Sequence, residues 1–217
     1  MYRDIYLRNV YEQIINLIEN NSHVLDLGCG NGELLDLLWE EKKVYGLGID
    51  IGTDEVLNCI KKGVSVIQED IDESLEKIKD ESYDCVILSE TLQAVKRPDY
   101  VLKQIIRIGK IAIVTFPNFA SLNLRLKFFF TGKMPKSSAL PFEWYNTPNI
   151  HLLTIKDFKE FCKKNEINIK KEIYFSGKGK KMNVFFNLEN LFADEGLFVL
   201  QKSNTINNKT VGQNNKT

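Results

Sequence analysis

Short apolar runs alternate with amphipathic stretches over the first half of the chain. The apolar runs, which are typical of buried strands, start at Val24, Val44, Val64, Cys85 and Ile111. Most of the intervals between them carry apolar residues at helical spacing, and so does the segment 5–19 that precedes the first run. Strands that alternate with helices in this way form a parallel sheet with helices on both faces. The pattern therefore predicts a doubly wound α/β fold.

Capping residues predict where several helices begin and end. Thr53 is placed to cap a helix that ends at Gly63. Pro98 suits the first turn of a helix that ends at Gly109. The sequence from Thr154 to Asp157 fits a capping box at the start of a later helix.

The alternation of strands and helices ends after the fifth predicted strand. Residues 117–153 hold four of the five prolines and many aromatic residues, and only 121–130 have the pattern of a helix. A long loop inserted after a core strand is usually functional or disordered, and the aromatic content argues against disorder. This insertion is compatible with a lid over a ligand, a substrate pocket or a surface that binds a partner.

Two further strands are predicted beyond the insertion, at 167–175 and at 197–200. The alternation in the first of them places four apolar side chains on one face of the sheet: Ile167, Ile169, Ile173 and Phe175. We expect one domain over residues 1–202, interrupted by the insertion at 117–153. The tail 203–217 is too polar to pack, and we expect it to be disordered.

A glycine-rich segment follows the first strand and has the features of a ligand site. Gly28, Gly30 and Gly32 alternate immediately ahead of a predicted helix. Glycine permits a positive φ and close approach of a ligand, and the N-terminus of the helix favours an anionic group. Asp50 ends the next strand, where an acid can accept hydrogen bonds from both hydroxyls of a ribose. These features predict a ribose-containing cofactor; the alternative is a glycine turn that serves only the packing of helix on sheet.

Two other nucleotide-binding motifs do not fit this segment. The dinucleotide fingerprint needs glycine or alanine where Glu33 stands, and a phosphate loop needs lysine followed by serine or threonine after its last glycine. The carboxylate of Glu33 also disfavours a pyrophosphate.

Composition narrows the classes of partner. The chain has 29 basic and 29 acidic residues and a pI near 6.7, so it lacks the basic footprint of a protein that binds nucleic acid. The four cysteines (Cys29, Cys59, Cys85 and Cys162) are widely spaced, which predicts buried reduced thiols and no metal site. The sequence contains neither a secretory signal nor an uncharged apolar run long enough to span a bilayer. We expect a soluble, cytoplasmic protein without a membrane or nucleic-acid partner.

The pattern D-x-G-x-G-x-G from Asp26 to Gly32, with Asp50 closing the next strand, resembles motif I of the class I S-adenosylmethionine-dependent methyltransferases. The resemblance implies a Rossmann-like, mostly parallel seven-stranded sheet whose last strand, 197–200, is an antiparallel edge strand. It implies S-adenosylmethionine or S-adenosylhomocysteine as the ligand, with Asp50 on the ribose and Asp70 on the adenine amino group. The full set of residues that it assigns to the cofactor is Asp26, Gly28, Cys29, Gly30, Gly32, Asp50, Ile51, Asp70, Ile71 and Ser89.

Polar residues flank the third and fourth strand ends. Glu69 and Asp72, which surround Asp70, are expected to be solvated. Ser89 and Thr91 are compatible either with contacts to cofactor or substrate or with capping of the next turn. The residues 89–92 do not match the Asn/Asp-Pro-Pro-Tyr/Phe motif of enzymes that methylate nucleobase amines, which argues against nucleic-acid methylation.

Four stretches (24–33, 86–94, 116–119 and 134–152) are similar to the MetW family of methionine biosynthesis. The last stretch is the specific one, because ordinary methyltransferases vary freely there. The chain departs from the family at Asp50, where glutamate is usual, and at Glu90, where glutamine is frequent. The resemblance implies a protein that acts beside a homoserine O-acyltransferase. The chain is not that acyltransferase itself, because it lacks the Gly-x-Ser-x-Gly nucleophile elbow.

The candidates for catalysis or recognition are few. His23 opens the first strand and is interpreted as structural, whereas His151 is a candidate base, with a packing role as the alternative. Glu143, Trp144 and Tyr145 are candidates for a substrate site or, equally, for a partner interface. Three hypotheses follow: an accessory subunit of a homoserine acyltransferase, a small-molecule methyltransferase and, least supported, a nucleic-acid methyltransferase.

Overall fold

The computed structural model describes residues 2–177, 179–183 and 188–203, and within them it places eight strands in one sheet. The strands are β1 (His23–Leu27), β2 (Tyr45–Asp50), β3 (Val66–Gln68), β4 (Tyr83–Ser89), β5 (Gly109–Pro117), β6 (Ile167–Phe175), β7 (Lys181–Met182) and β8 (Glu195–Lys202). Their order across the sheet is β3-β2-β1-β4-β5-β8-β6-β7. The strands β1 to β5 pair in parallel, and β8 runs antiparallel to both of its neighbours.

Helices cover both faces of the sheet, as the alternating pattern predicts. The helices are α1 (Tyr2–Ile15), α2 (Glu33–Lys42), α3 (Thr53–Lys62), α4 (Ile71–Ser74), α5 (Pro98–Ile108), α6 (Leu122–Thr131), α7 (Ile155–Lys164) and α8 (Glu189–Phe192), with a short 3₁₀ helix at Leu75–Lys77. Apolar residues of α1, α2 and α3 form the core on one face, and those of α4, α5 and α7 form the core on the other. The α/β doubly wound fold is confirmed. No helix in the described part of the chain is long and apolar enough to cross a bilayer.

Most of the predicted helix ends are confirmed. Gly63 ends α3 with φ 77°, Pro98 starts α5, and the Thr154 side chain accepts a hydrogen bond from the N–H of Asp157 at the start of α7. The prediction that Thr53 caps α3 is wrong. Gly52 holds the capping position, and the Thr53 hydroxyl instead accepts a hydrogen bond from Gln68 Nε2 at 2.9 Å.

The sheet differs from the prediction in its strand number and in the place of its last strand. It has eight strands rather than seven because the two-residue strand β7 is added beside β6. The strand β8 is antiparallel as predicted, but it lies between β5 and β6 rather than at an edge. Its first six residues are all buried, and such a continuous apolar run is typical of an inner strand covered on both faces.

The prediction that four apolar residues of β6 share one face is wrong. A bulge between Ile169 and Lys171 shifts the register of β6 against β8. A shift of one residue reverses the face of every later side chain. Ile167 and Ile169 therefore pack on the side of α5 and α7, whereas Ile173 and Phe175 pack on the side of α1 and α2.

The insertion after β5 contains α6 and is otherwise irregular up to the start of α7. Only Leu124 of α6 is buried, whereas Phe129 and Phe130 are 79% and 76% exposed. The predicted disorder of the tail concerns residues that, from 204 onward, lie outside the described part of the chain.

Candidate functional site

The glycine segment and Asp50 meet at one edge of the sheet. The segment 28–32 follows β1 directly, Asp50 ends β2, and β1 and β2 pair from His23 with Tyr45 to Leu27 with Ile49. The strand order reverses between β1 and β4, the point at which open α/β sheets bind ligands beyond their carboxyl ends. The sequence prediction of a site at this edge agrees with the topology.

The three glycines have different surroundings. All three have positive φ angles (73°, 53° and 71°), a conformation that favours glycine. A Cβ on Gly28 would overlap the Thr91 side chain, and one on Gly32 would lie 2.9 Å from Cys59 Sγ. A Cβ on Gly30 would meet no atom within 4 Å. Two glycines therefore permit close packing, and only Gly30 presents open backbone to a ligand.

Asp50 organises this segment through its two carboxylate oxygens. Oδ2 accepts a hydrogen bond from the N–H of Gly30 at 2.7 Å, and Oδ1 accepts one from the N–H of Gly52 at 2.9 Å. A carboxylate offers about four acceptor positions, so these two bonds leave capacity for further donors. The neighbouring Ile51 is 65% exposed, which leaves an apolar surface beside the carboxylate.

Asp26 lies on β1, and Cys29 is part of the glycine segment. Burial, and then the negative charge of Asp50, raises the pKa of Asp26 to about 7. Burial also raises the pKa of the Cys29 thiol, which makes a nucleophilic role unfavourable. All four cysteines are buried and free, as predicted.

Asp70 and Asp72 have different roles at the end of β3. The Asp70 carboxylate caps α4 by accepting a hydrogen bond from the N–H of Asp72, and Lys96 Nζ lies 3.4 Å from it. The prediction that Asp72 is solvated is wrong. Its carboxylate is buried and accepts hydrogen bonds from the N–H groups of Lys96 (2.9 Å) and Arg97 (2.8 Å), so it fixes the start of α5 against α4. Ile71 is buried between the two acids.

The end of β4 is hydrogen-bonded to Thr115 of β5. Ser89 Oγ lies 3.1 Å from Thr115 Oγ1, and the N–H of Glu90 donates to both the carbonyl and the hydroxyl oxygen of Thr115. Glu90 has φ 51°, an unfavourable backbone angle for a side chain of this size. Thr91 donates to the Ser89 carbonyl at 2.9 Å and fills the space above Gly28, so its contacts are those of a turn residue.

Sequence reasoning missed a buried acid at this same edge. Glu195, the first residue of β8, is fully buried and accepts a hydrogen bond from the hydroxyl of Tyr6 on α1. The available signal was a lone charge at the start of an otherwise apolar run. Tyr6 itself packs in the core with 1% exposure.

His151 lies on the other face of the sheet from α2. Its backbone N–H donates to the Gln93 carbonyl at 3.0 Å, and its ring lines a cavity of about 400 Å³ between α5 and α7. Its Nε2 atom is buried and has no hydrogen-bond partner among the described residues. His151 thus contacts the segment after β4 but is not grouped with the glycines.

Glu143, Trp144 and Tyr145 face outward from the insertion. Trp144 and Tyr145 are 74% and 70% exposed, and their rings contact each other edge to face with centroids 5.7 Å apart. Glu143 forms an ion pair with Lys136.

A larger cavity, of about 770 Å³, lies at the opposite edge of the sheet. It is lined by His23, Tyr45 and Tyr83, the first residues of β1, β2 and β4. The positive-φ glycines and Asp50 lie at the carboxyl edge instead, where open α/β sheets bind their ligands.

Comparisons with known proteins agree with this geometry. The chain is similar to a bifunctional methionine biosynthesis protein MetXA/MetW of Rhodopirellula baltica, with 33% identity over 211 residues, which are 93% of this chain and 34% of the relative. It thus spans about a third of the length of that relative.

In structure the chain is similar to a SAM-dependent methyltransferase of Archaeoglobus fulgidus (TM-score 0.66, 19% identity, 91% of this chain and 94% of the other). It is also similar to magnesium protoporphyrin IX methyltransferase of Synechocystis with bound SAH (TM-score 0.66, 14% identity, 92% and 84%). The family described as methionine biosynthesis protein MetW matches residues 8–200. The chain therefore belongs to the MetW family of methionine biosynthesis proteins and has a methyltransferase fold.

Proposed function

We propose that this protein binds S-adenosylmethionine or S-adenosylhomocysteine and acts in methionine synthesis as the partner of a homoserine O-acyltransferase. The observation that carries the partnership is the Rhodopirellula relative, in which a MetXA part and a MetW part share one chain. Parts that are fused in one protein often act together when they are separate. We place this action in the cytoplasm, the compartment that four free thiols favour.

The proposed cofactor site is the carboxyl edge of β1 to β4. The ribose hydroxyls donate to the free acceptor positions of Asp50, and the adenine ring packs on the exposed side chain of Ile51. Asp70 and Ile71 stand at the end of β3, where the adenine amino group would lie. The methionine part of the cofactor passes Gly30, whose backbone faces open space. The remaining residues that frame this site are Asp26, Gly28, Cys29, Gly32 and Ser89.

Charge supports a cationic ligand at this edge. S-adenosylmethionine carries a sulfonium and an ammonium group, and Asp26 and Asp50 lie close enough for Asp50 to raise the pKa of Asp26. A bound cation would relieve this repulsion.

The contact with the acyltransferase is proposed to use Trp144 and Tyr145, with Glu143 at its rim. Exposed aromatic side chains in a segment that is rich in proline bury a large area at low entropic cost and often dominate interfaces. The outward orientation of both rings favours this role over that of a lid.

The double variant Trp144→Ala with Tyr145→Ala tests this contact. We expect it to lose copurification with the acyltransferase while it binds S-adenosylhomocysteine as the wild type does. Trp39→Ala with Tyr45→Ala is the matched control, because it removes an exposed tryptophan and an exposed tyrosine at the opposite edge of the sheet. Weaker binding of the cofactor with the partner retained would identify the segment as a lid and contradict the proposal.

A small-molecule methyltransferase is the second candidate. The neighbouring acids Glu90 and Glu195, at strand ends next to the proposed cofactor, favour it because they are placed to hold an acceptor. Methyl transfer from a sulfonium needs mainly alignment of donor and acceptor, an effect worth up to ~7–11 kcal/mol. His151, the candidate base, lines the cavity between α5 and α7, so a base role requires that the acceptor extend past Gln93.

A further inference from the structure

A buried carboxyl group lies at the same sheet edge as the proposed cofactor site but on different strands. Glu195 pairs in register with Pro117, the last residue of β5, and with Phe175, the last residue of β6. Its side chain therefore lies at the carboxyl ends of both strands, and it has no solvent exposure.

The two carboxyl oxygens of Glu195 differ in their hydrogen bonds. The hydroxyl of Tyr6 donates to Oε2, whereas Oε1 is buried and has no hydrogen-bond partner among the described residues. Buried polar atoms in native proteins are almost always paired with protein, water or ligand. The unpaired Oε1 therefore calls for a donor.

The charges that act most strongly on this group are negative. Burial raises the pKa of Glu195 well above its ordinary value and the carboxylate of Glu90 raises it further, whereas hydrogen bonds from the hydroxyls of Tyr6 and Thr115 oppose the rise. Burial also raises the pKa of Tyr11, followed by the carboxylates of Asp26, Glu33 and Glu90. The carboxylates around Glu195 disfavour its ionised form unless a cation is also present, so a cationic donor is favoured over a neutral one.

This group extends from the interior to the surface. Tyr6 and Glu195 are buried, whereas Tyr11 and Glu90 are partly exposed. Tyrosine rings also attract cations through their faces. Tyr11 and Glu90 are therefore the members of this group that solvent contacts.

We propose that Tyr6, Tyr11, Glu90 and Glu195, hereafter the amine cluster, bind the ammonium group of a small aliphatic amine beside the cofactor. The ammonium group donates to Glu195 Oε1 and is attracted by Glu90. This inference rests on the proposed function, because it assumes that the cofactor binds next to the amine cluster. It adds the class of molecule, a small aliphatic amine, that the cluster accepts.

The experiment compares n-butylamine with 1-butanol, which has the same chain but no charge. Both are titrated at millimolar concentrations into the full-length protein, with and without S-adenosylhomocysteine, and binding is followed by NMR shifts and melting temperature. We expect saturable binding of the amine and at least tenfold weaker binding of the alcohol. Failure of S-adenosylhomocysteine to bind would contradict the cofactor proposal alone, because the amine titration is also run without it.

Glu195→Gln is the decisive variant, because it keeps an acceptor for the Tyr6 hydroxyl and removes the carboxyl group that can ionise beside a cation. We expect it to bind the amine at least tenfold more weakly and S-adenosylhomocysteine unchanged. Asp99→Asn is the control, since it removes an exposed carboxylate on α5. If Glu195→Gln does not fold, Glu90→Gln is used in its place, because Glu90 is partly exposed. We expect Glu90→Gln to weaken binding of the amine several-fold.

Three results would overturn the proposal. The first is equal binding of amine and alcohol by the wild type. The second is unchanged binding of the amine by a folded Glu195→Gln protein or, in its place, by Glu90→Gln. The third is loss of S-adenosylhomocysteine binding in Glu195→Gln, which would assign the carboxyl group to the cofactor itself.

Discussion

Asp50 has two roles at the scale of single residues. Its carboxylate holds the N–H groups of Gly30 and Gly52, so it fixes the glycine segment and the turn before α3 in one arrangement. The same carboxylate is proposed to accept the ribose hydroxyls. A substitution at this position therefore removes both a support and a ligand contact.

We expect Asp50→Ala to weaken binding of S-adenosylhomocysteine. Loss of a charge-assisted hydrogen-bonding group costs ~1.5–3 kcal/mol, which corresponds to on the order of 10- to 150-fold in affinity. Titration calorimetry measures the effect, and Asp50→Glu, which restores the usual residue of the family, should retain most of the affinity. Equal affinities of the alanine variant and the wild type would contradict the assignment of the ribose to Asp50.

The sequence predicted the residues whose role depends on local spacing. Asp50, the glycines and the box from Thr154 to Asp157 belong to motifs that lie within a few residues or one strand of each other. It missed Asp72 and Glu195 because their partners are far away in sequence. Asp72 binds the N–H groups before α5, and Glu195 meets a tyrosine of the first helix.

At the scale of elements, strand patterns predicted where the strands are but not how they are ordered. The all-buried run of β8 was a sign of an inner strand, yet alternation alone does not reveal its neighbours. The apolar pattern did not reveal the bulge of β6 either. Ile167, Ile169 and Ile173 keep an even spacing across it. Only the pairing with β8 shows that the later residues have changed face.

The start of α7 offers a prediction at this scale. Thr154 accepts a hydrogen bond from the N–H of Asp157 at 3.1 Å and donates to its carboxylate at 2.6 Å. We expect Thr154→Ala to lower the free energy of unfolding by about 0.5–2 kcal/mol, the usual value of an N-cap. Chemical denaturation measures the loss, and Thr154→Ser should restore most of it. No loss in the alanine variant would show that this cap does not stabilise the helix.

At the scale of the whole molecule, the three proposed functions are carried by different residues. The proposed cofactor lies at the carboxyl ends of β1 to β4, the adjoining amine cluster includes residues at the end of β4 and the start of β8, and the exposed aromatic side chains lie on the insertion after β5. The composition of the insertion predicted an ordered aromatic segment but could not distinguish a lid or a substrate pocket from a partner surface. The orientation of Trp144 and Tyr145 depends on the tertiary packing of the insertion.

The most direct measurement is a reconstituted assay of the homoserine O-acyltransferase from the same organism. Its rate is measured alone, with the purified wild-type protein and with the Trp144→Ala, Tyr145→Ala variant, in the presence of labelled S-adenosylmethionine. Our account predicts that the wild type raises the acyltransferase rate, that the variant does not, and that the labelled methyl group stays on the cofactor. An unchanged rate would contradict the account, and so would transfer of the methyl group to a metabolite by the purified protein alone at roughly 1 per second or faster, an ordinary enzymatic rate.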